Sequence, residues 1–316
     1  MEERLPFASV VIPIFNGSAF LPDVLRMITR QKTSIYYEII CIDSGSTDTS
    51  KSVCQKYHVR YYEIPQKQFN HGLTRNQGIL VSKGELIIFL SQDAIPDDDD
   101  WLENLIAPFK DKQVAGVYGR QIPRDDADVL TKKHLNSWLT GKKETRISFI
   151  QNKEEYMKLL PMEKHELCNF DNVCSCIRKS VWTTIPFEKT VFAEDLTWSK
   201  KILELGYKIV YEPKAAVIHS HQRSVFYEYK RTYVCHRKLY ELFKIQTVPS
   251  LKDVIKCFFM TMKNDLPYVY SSEKDIKKKT LSFLRVPVLS FLCVFAQYKG
   301  ARDERNNYPL RKIKGV

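Results

Sequence analysis

The feature that most constrains this chain is a regular alternation of short apolar runs and amphipathic helical patterns up to residue 119. The apolar runs, such as ELIIFL at 85–90, are too apolar for strands with one face in water. Apolar strands that alternate with helices form parallel sheets covered on both faces. We therefore predict an α/β fold whose mostly parallel sheet is flanked by helices. The predicted strands are 8–15, 36–42, 59–64, 85–90 and 115–119, and the predicted helices are 18–29, 49–57, 72–82 and 101–109.

Polar side chains follow three of the predicted strands directly. Asn16, Asp43 and Asp93 each lie just past the carboxyl end of an apolar run. In open α/β sheets, ligands bind in the crevice outside the carboxyl ends of the strands. Because these ends lie at one edge of the sheet, we expect the three polar loops to converge on a single crevice.

The glycine pattern excludes the common nucleotide cradles. No G-x-G-x-x-G motif follows the first strand, and the chain has no G-x-x-x-x-G-K-S/T motif. These motifs bring backbone N–H groups against phosphates. If the crevice binds a nucleotide, another group must therefore neutralise the phosphate charge.

A second polar constellation lies in the stretch 191–221. Glu194 and Asp195 begin a helical pattern that Gly206 ends, and two predicted strands, 207–211 and 215–219, follow. Acidic residues at a helix start are often only favourable partners of the helix dipole. The histidines His219 and His221 lie at the strand end, where alternation turns only one of them inward.

The remaining parts of the chain are less regular. Residues 125–166 are polar and rich in lysine, which predicts an irregular or loosely helical insertion beside the crevice, and 170–181 reads as a strand leading into a short helix. The eight cysteines are scattered and several lie in apolar runs, as expected of reduced core thiols. Cys174-x-Cys176 lacks the spacing and the second pair of a zinc knuckle. The charged start does not resemble a signal peptide, so we expect a cytosolic protein.

Charge divides the chain into two predicted domains, 1–221 and 222–316. The first has equal numbers of basic and acidic residues, whereas the second has 20 Lys and Arg against 8 Asp and Glu. Its basic amphipathic helical patterns favour attachment to an anionic membrane surface. The apolar run 281–298 contains Arg285 and Pro287, so we predict a helix lying on the membrane rather than one spanning it.

Alternatives for this basic region remain. Its helices can instead pack on the first predicted domain or on a second subunit, giving a homo-oligomer. Binding of nucleic acid is the alternative from another class. We expect no nucleic-acid partner, because the first 221 residues offer no basic stripe and no nucleic-acid motif.

Four stretches, in this order and spacing, resemble the family 2 glycosyltransferases, inverting enzymes with the Rossmann-like GT-A fold. The resemblance spans residues 7–221. The run FNHGLTRNQG followed by SQDA looks most like the bacterial rhamnosyltransferase branch, which builds O-antigens and capsules. The four stretches are VVIPIFN, IDSGSTD, TRNQGILVSKGELIIFLSQDA and FAEDLTWSKKILELGYKIVYEPKAAVIHSH.

The resemblance implies specific roles. Asp195 would be the catalytic base, with Glu194 orienting it or touching the donor sugar, and Asp93 would hold a divalent cation. Asp43 would contact the nucleotide base, although it can also simply cap the following helix. Further donor contacts are expected from Pro13, Phe15, Asn16, Ser44, His71, Arg75, Asn76 and Gln92.

The chain departs from the family at its metal motif. The usual Asp-x-Asp is Ser91-Gln92-Asp93 here, with one carboxylate where two are typical. His219 or His221 is a candidate for the missing ligand, and an imidazole beside a carboxylate shifts the preference from Mg²⁺ towards Mn²⁺.

The resemblance also implies donor, acceptor and location. The expected reaction moves rhamnose from dTDP-rhamnose onto a lipid-linked glycan at the inner face of the cell membrane, where the protein would be peripheral. A UDP-sugar donor is the alternative within the class, because no residue of the sequence is identified as a contact of the methyl group that distinguishes thymine from uracil. Ser91 in place of an acid also leaves open a non-catalytic, membrane-associated scaffold.

Overall fold

The computed structural model describes residues 5–310, so the charged residues 1–4 and the last six residues lie outside the described part. The chain divides into two compact units. The first comprises the residues up to 124 together with 135–158 and 166–220. The second comprises 125–134, 159–165 and the residues from 221 onward.

The first unit is built on one nine-stranded mixed sheet. Its strand order is β3-β2-β1-β4-β8-β6-β9-β5, with β7 paired to β9. The strands are β1 (Ala8–Ile14), β2 (Tyr37–Asp43), β3 (Arg60–Glu63), β4 (Leu86–Leu90), β5 (Ile95–Pro96), β6 (Val114–Ile122), β7 (Arg146–Ser148), β8 (Cys174–Arg178) and β9 (Lys208–Ile218).

The predicted α/β fold is confirmed, and the sheet departs from parallel pairing at β8 in its middle and at the short strands β5 and β7, which run antiparallel to β9. β1 pairs in parallel with β2 and β4, and β6 pairs in parallel with β9. β8 runs antiparallel to both β4 and β6, between which it lies. The start of β8 therefore lies at the same edge as the carboxyl end of β4, where Leu90 pairs with Cys174.

Helices cover the sheet where the sequence periodicity predicts them. α1 shows the reason, because Leu21, Val24, Leu25 and Ile28 recur at helical spacing and are all buried. Pro22 lies in its first turn, so the helix begins at Leu21 rather than at 18. The helices assigned wholly to the first unit are α1 (Leu21–Thr29), α2 (Ser50–Lys56), α3 (His71–Val81), α4 (Trp101–Ile106), α6 (Lys153–Lys158), α8 (Lys179–Thr184) and α9 (Glu194–Glu204).

Two predicted strands are one. The expected break between 207–211 and 215–219 is wrong, because β9 continues through Pro213. The register with β6 shifts between Gly119 and Arg120, which pair with Glu212 and Ala216. A bulge of this kind absorbs the extra residues without ending the strand. β6 also extends past the predicted end at 119, to Ile122.

The insertion 125–166 is more regular than predicted. It contains α5 (Val129–Ser137), α6, β7 and the start of α7 (Pro161–Leu167). β7 is three residues long and pairs antiparallel with β9. Elements this short carry too few periodic positions to be recognised from the sequence.

The second unit consists mainly of three long helices, α10 (Val225–Phe243), α11 (Leu251–Ser272) and α12 (Ile276–Arg305). α10 and α12 pack closely, since a Cβ on Gly300 would lie 2.4 Å from the Tyr233 carbonyl oxygen. Buried polar contacts hold the same pair, with the Tyr233 hydroxyl donating to Asp303 at 2.9 Å.

α12 corrects one expectation. The apolar run 281–298 is not interrupted at Pro287, because it belongs to a continuous 30-residue helix. Among the described residues α12 is the one helix long and apolar enough to cross a membrane, with a mean hydropathy of 1.6 in its most apolar window. Only 22% of that window is buried, and core helices of soluble proteins can meet the same criterion.

Candidate active site

The polar loops after β1, β2 and β4 meet, as the strand alternation predicts. The Asn16 backbone N–H donates to the Ser46 hydroxyl at 2.8 Å, and the Asn16 side-chain oxygen accepts from the Thr47 N–H at 2.8 Å. The Gln92 amide bonds both backbone groups of Phe15, at 2.7 and 3.0 Å. Four hydrogen bonds thus tie the loops after three strands into one wall of the crevice.

Asp43 shapes this wall from inside. One carboxylate oxygen accepts from the Ser46 N–H at 2.7 Å and the other from the Tyr61 hydroxyl at 2.6 Å. The next residue, Ser44, is buried, and its hydroxyl has no hydrogen-bond partner within residues 5–310. Pro13 is half-buried in β1, whereas the Phe15 side chain is exposed.

A carboxylate and an imidazole lie together at the ends of β4 and β9. His219 Nε2 is 3.6 Å from the Asp93 Oδ1 atom. The ring is 6% exposed and its Nδ1 atom is 2.9 Å from the Gln121 side-chain oxygen. Oxygen and imidazole ligands together suit Mn²⁺ better than Mg²⁺. His221 follows two residues later, is exposed, and belongs to the second unit.

Arg124 is a site residue that the sequence reading missed. Its guanidinium lies 4.0 Å from the centre of the Phe20 ring and donates to the backbone oxygen of Asp93. Its Nε atom is buried without a hydrogen-bond partner among the described residues. The signal was its position two residues after β6, which the prediction ended too early at 119.

A buried ion pair lies beneath the start of α9. Arg75 Nη1 is 2.8 Å from Glu194 Oε1, and the two side chains are 9% and 6% exposed. The Asn172 amide donates to the same Glu194 oxygen at 3.3 Å. Ala193, just before the helix, has a left-handed backbone with φ of 56°, which turns the chain sharply into α9.

Asp195 is held beside this pair by two backbone donors. The N–H groups of Asn172 and Leu196 donate to its two oxygens at 3.2 and 2.8 Å. Burial, then repulsion from Glu194 and from Asp171, raises the pKa of Asp195 to about 8. A carboxylate with a pKa near the working pH is well suited to accept a proton.

The remaining predicted donor residues belong to α3. His71 begins this helix, is exposed, and meets the Phe69 ring edge-on at 4.9 Å. The Asn76 amide is used internally, since it accepts from Trp182 Nε1 at 2.7 Å and donates to the Phe187 carbonyl at 2.8 Å. Asn76 therefore ties α3 to the loop before α9.

Asp171, Asn172 and Gln121 are also site residues that the sequence reading missed. Asp171 and Asn172 precede β8, and the start of this strand reaches the crevice because β8 runs antiparallel to β4. Gln121 lies in the part of β6 beyond its predicted end. The local sequence does not show in which direction β8 runs. The only feature of the sequence that could have identified these site residues was the adjacent Asp and Asn.

The mixed sheet and the acidic crevice at its carboxyl edge agree with the GT-A fold that the resemblance implies. The Glycosyl transferase family 2 model matches residues 9–181, more than half of the chain. The chain belongs to this family, and the predicted resemblance is confirmed.

Two curated relatives are rhamnosyltransferases. The O-antigen chain rhamnosyltransferase RfbN of Salmonella typhimurium is 34% identical over 72% of this chain and 72% of its own length. The O-antigen chain rhamnosyltransferase WbaN of Salmonella anatum is 30% identical over 72% of this chain and 70% of its own length.

Solved structures share the fold at low sequence identity. A mannosyltransferase from Pyrobaculum calidifontis, in complex with GDP-Man and Mn²⁺, has a TM-score of 0.59 and 14% identity, covering 96% of this chain and 88% of that one. Glucosyl-3-phosphoglycerate synthase from Mycobacterium tuberculosis has a TM-score of 0.52 and 18% identity, covering 78% and 83%.

Proposed function

We propose that this protein transfers rhamnose from dTDP-rhamnose to an O-antigen or related lipid-linked acceptor with inversion at the anomeric carbon. The names of the two rhamnosyltransferase relatives support the sugar and the O-antigen acceptor, whereas dTDP as the nucleotide and the lipid link are what the family resemblance implies. The observation that carries the catalytic part is Asp195, a half-buried carboxylate with a raised pKa at the crevice.

In the proposed mechanism Asp195 removes the proton from the acceptor hydroxyl as this oxygen attacks the anomeric carbon. General base catalysis of this kind contributes about 10²–10⁴-fold. The Asn172 N–H fixes the orientation of the carboxylate, and the ion pair with Arg75 holds Glu194 in place beside it. The bond to the nucleoside diphosphate breaks on the opposite face, which inverts the configuration.

Asp93 and His219 would hold the divalent cation, with His221 as a further candidate ligand. Their oxygen and nitrogen atoms form a donor set suited to Mn²⁺, and His219 is already oriented by Gln121. When bound, a divalent cation stabilises negative charge on the diphosphate leaving group. Arg124 supplies a fixed positive charge beside Asp93 for the same purpose.

The nucleotide base would meet the loop that follows β2. Both Asp43 oxygens already accept one hydrogen bond, and each keeps a second lone pair. We propose that Asp43 accepts from the imide N–H of the pyrimidine. The donor contacts would come from Pro13, Phe15, Asn16, Ser44, His71, Arg75 and Gln92, while Asn76 is assigned a structural role.

We also propose that the second unit attaches peripherally to an anionic membrane at the cytoplasmic face. Ile255 and Phe259 lie one helical turn apart on α11 and are exposed. Leu284, Val288 and Phe291 form a comparable exposed stripe on α12. The contact between Phe258 and Phe291, at 6.0 Å, joins the two helices. Apolar stripes within a basic region are typical of helices that lie in the membrane interface.

A donor panel tests the catalytic proposal. The purified protein is incubated with Mn²⁺ or Mg²⁺ and each of several nucleotide sugars, and release of nucleoside diphosphate is followed alongside Asp93→Ala and Asp195→Asn. Metal-dependent release from dTDP-rhamnose, lost in both variants, is the expected result. Release from a UDP-sugar instead would move the donor assignment to the alternative.

The panel also addresses the scaffold alternative that Ser91 suggests. A scaffold would release no nucleoside diphosphate, and no nucleotide would raise its melting temperature. A thermal shift by one nucleotide without turnover would instead point to a missing acceptor. The acceptor search would then use lipid-linked glycans.

A further inference from the structure

We propose that Gln121 and Asp171 are positioning residues that hold His219 in a single tautomer, with the proton on Nδ1 and the lone pair on Nε2. The inference rests on the proposed metal site and concerns three side chains of the first unit. It explains how a lone imidazole can stand in for the carboxylate that is missing at Ser91.

Three consecutive hydrogen bonds carry the inference. The Val173 backbone N–H donates to Asp171 Oδ1 at 2.8 Å. Asp171 Oδ2 accepts from the Gln121 side-chain N–H at 2.7 Å. The Gln121 oxygen then lies 2.9 Å from His219 Nδ1, and both Gln121 and His219 are buried.

The donor and acceptor properties of these groups determine which atom donates in each of the three hydrogen bonds. An ionised carboxylate can only accept hydrogen bonds, so Asp171 requires the NH₂ group of Gln121 to face it. The Gln121 oxygen must then face the ring, and it can only accept. His219 Nδ1 is therefore the protonated nitrogen, which leaves the Nε2 lone pair on the side of Asp93 Oδ1, 3.6 Å away.

A metal ligand must present a lone pair, so the opposite tautomer would aim an N–H group at the cation. Partners of this kind fix the tautomer of ligating histidines, and their removal weakens metal binding by about 10–100-fold. β8 supplies Asp171 to this arrangement only because its antiparallel direction brings its start to the crevice.

Asp171→Asn should reverse the direction of the hydrogen bonds between residue 171, Gln121 and His219. The Val173 N–H still requires an oxygen, so the new amide turns its NH₂ group towards Gln121. Gln121 then flips and donates to His219 Nδ1, which forces the proton onto Nε2. We expect the ring tautomer to invert and the affinity for Mn²⁺ to fall about 10–100-fold.

Gln121→Leu removes the oxygen that accepts from His219 Nδ1. We expect His219 to populate both tautomers, with a similar loss of Mn²⁺ affinity. Gln31→Leu is the matched control, because Gln31 is also buried and hydrogen-bonded, to Leu102 N–H at 2.9 Å and to the Asp98 carbonyl at 2.8 Å. It should lower stability without changing Mn²⁺ affinity.

The experiment uses the full chain and two readouts other than turnover. Nitrogen chemical shifts of ¹⁵N-labelled histidine report the tautomer in metal-free protein, with His219→Ala assigning the signal. Binding of Mn²⁺ alone is measured by electron paramagnetic resonance. Activity is not used, because Asp171 also repels Asp195 and its removal changes the base.

An Nδ1-protonated His219 in the unchanged protein, inverted in Asp171→Asn with weaker Mn²⁺ binding, is the expected result. An Nε2-protonated ring in the unchanged protein would overturn the inference and leave the glycosyltransferase proposal intact. Equal Mn²⁺ affinity in all variants would overturn the positioning role alone. No Mn²⁺ binding by the unchanged protein would overturn the metal site itself.

Discussion

Asp195 lies among groups that oppose its ionisation, and this governs its pH behaviour. Burial and the neighbouring Glu194 and Asp171 raise its pKa to about 8. A base must be deprotonated to act, so we expect kcat/KM to rise with pH and to level off above about 8. The measurement is the pH profile of nucleoside diphosphate release at low donor concentration. A flat profile from pH 6 to 9 would contradict the assignment.

The same raised pKa makes a prediction about stability. An unfolded aspartate has a pKa of about 3.9, so between that pH and about 8 the folded protein binds more protons than the unfolded chain. The stability contributed by Asp195 therefore falls as pH rises through this window. Asp195→Asn should be stabilising at pH 9, with a gain that shrinks towards pH 4. Urea unfolding at several pH values measures this, and a gain independent of pH would contradict it.

The buried pair of Arg75 and Glu194 stabilises the site by a different route. Removing one partner leaves the other charged and buried, so Arg75→Ala should cost about 3–5 kcal/mol of unfolding free energy. The exposed pair of Arg26 and Asp23, at 2.9 Å, is the control, and Arg26→Ala should cost about 0–1 kcal/mol. Urea denaturation compares them, and equal costs would contradict the buried-charge argument.

At the scale of elements, the site depends on how closely α3 approaches α9. A Cβ on Gly72 would lie 2.5 Å from the Glu188 carbonyl oxygen and 3.3 Å from the Glu194 Cβ. Gly72→Ala must therefore displace the segment that leads to Glu194 and Asp195, the proposed catalytic residues. Because a displacement of about 1 Å can cost about 10²-fold, we expect turnover to fall strongly.

Gly206→Ala is the control at the other end of α9. Nothing lies within 4 Å of its added Cβ, but its φ of 86° strains any other residue. We expect a loss of about 1–2 kcal/mol in stability with turnover unchanged under conditions where the variant is folded. Thermal unfolding and donor turnover separate the two variants. Unchanged turnover in Gly72→Ala would show that α3 does not position the acids.

Helices and strands were predictable from the sequence where their apolar patterns are long. They were not predictable where their bounds depend on pairing with a neighbouring strand. α1 and β4 were recognised because their apolar residues recur at the periods of a helix and a buried strand. The continuous strand β9 was read as two, because Pro213 is a breaker in sequence but lies in a bulge opposite β6. Pairing with the neighbouring strand β6 keeps β9 continuous, and the local sequence of β9 does not show this partner.

At the scale of the whole molecule, the basic excess and the exposed apolar stripes occur in the same region. Residues 222–316 have 20 basic against 8 acidic residues, and α11 and α12 both expose apolar side chains. We expect the full chain to co-sediment with anionic vesicles at low salt and to be released as salt increases. Lack of co-sedimentation, with a dimer in analytical ultracentrifugation, would favour the homo-oligomer.

Point variants sharpen this test. Leu284→Ser should weaken vesicle binding by roughly tenfold or more, since each buried CH₂ contributes about 0.8 kcal/mol. Leu80→Ser is the matched control, because both leucines are 70% exposed but Leu80 lies on α3 in the first unit. The control should bind vesicles like the unchanged protein. An equal effect of the two substitutions would contradict a membrane face on α12.

The sequence by itself determined the α/β fold, the convergence of Asn16, Asp43 and Asp93, and the presence of reduced core thiols among the cysteines, five of which are buried in the structure. These follow from local periodicity, because the spacing of apolar residues over a few positions identifies a strand or a helix, and the carboxyl ends of parallel strands share an edge.

Only the tertiary structure decided how the site is completed. The antiparallel direction of β8 brings Asp171 and Asn172 to the crevice, and the extended β6 brings Gln121 and Arg124. The pairing that sets both features joins residues far apart in the chain, and its energy comes from hydrogen bonds and burial that no local pattern records. The raised pKa of Asp195 has the same origin, since it depends on neighbours that the fold assembles.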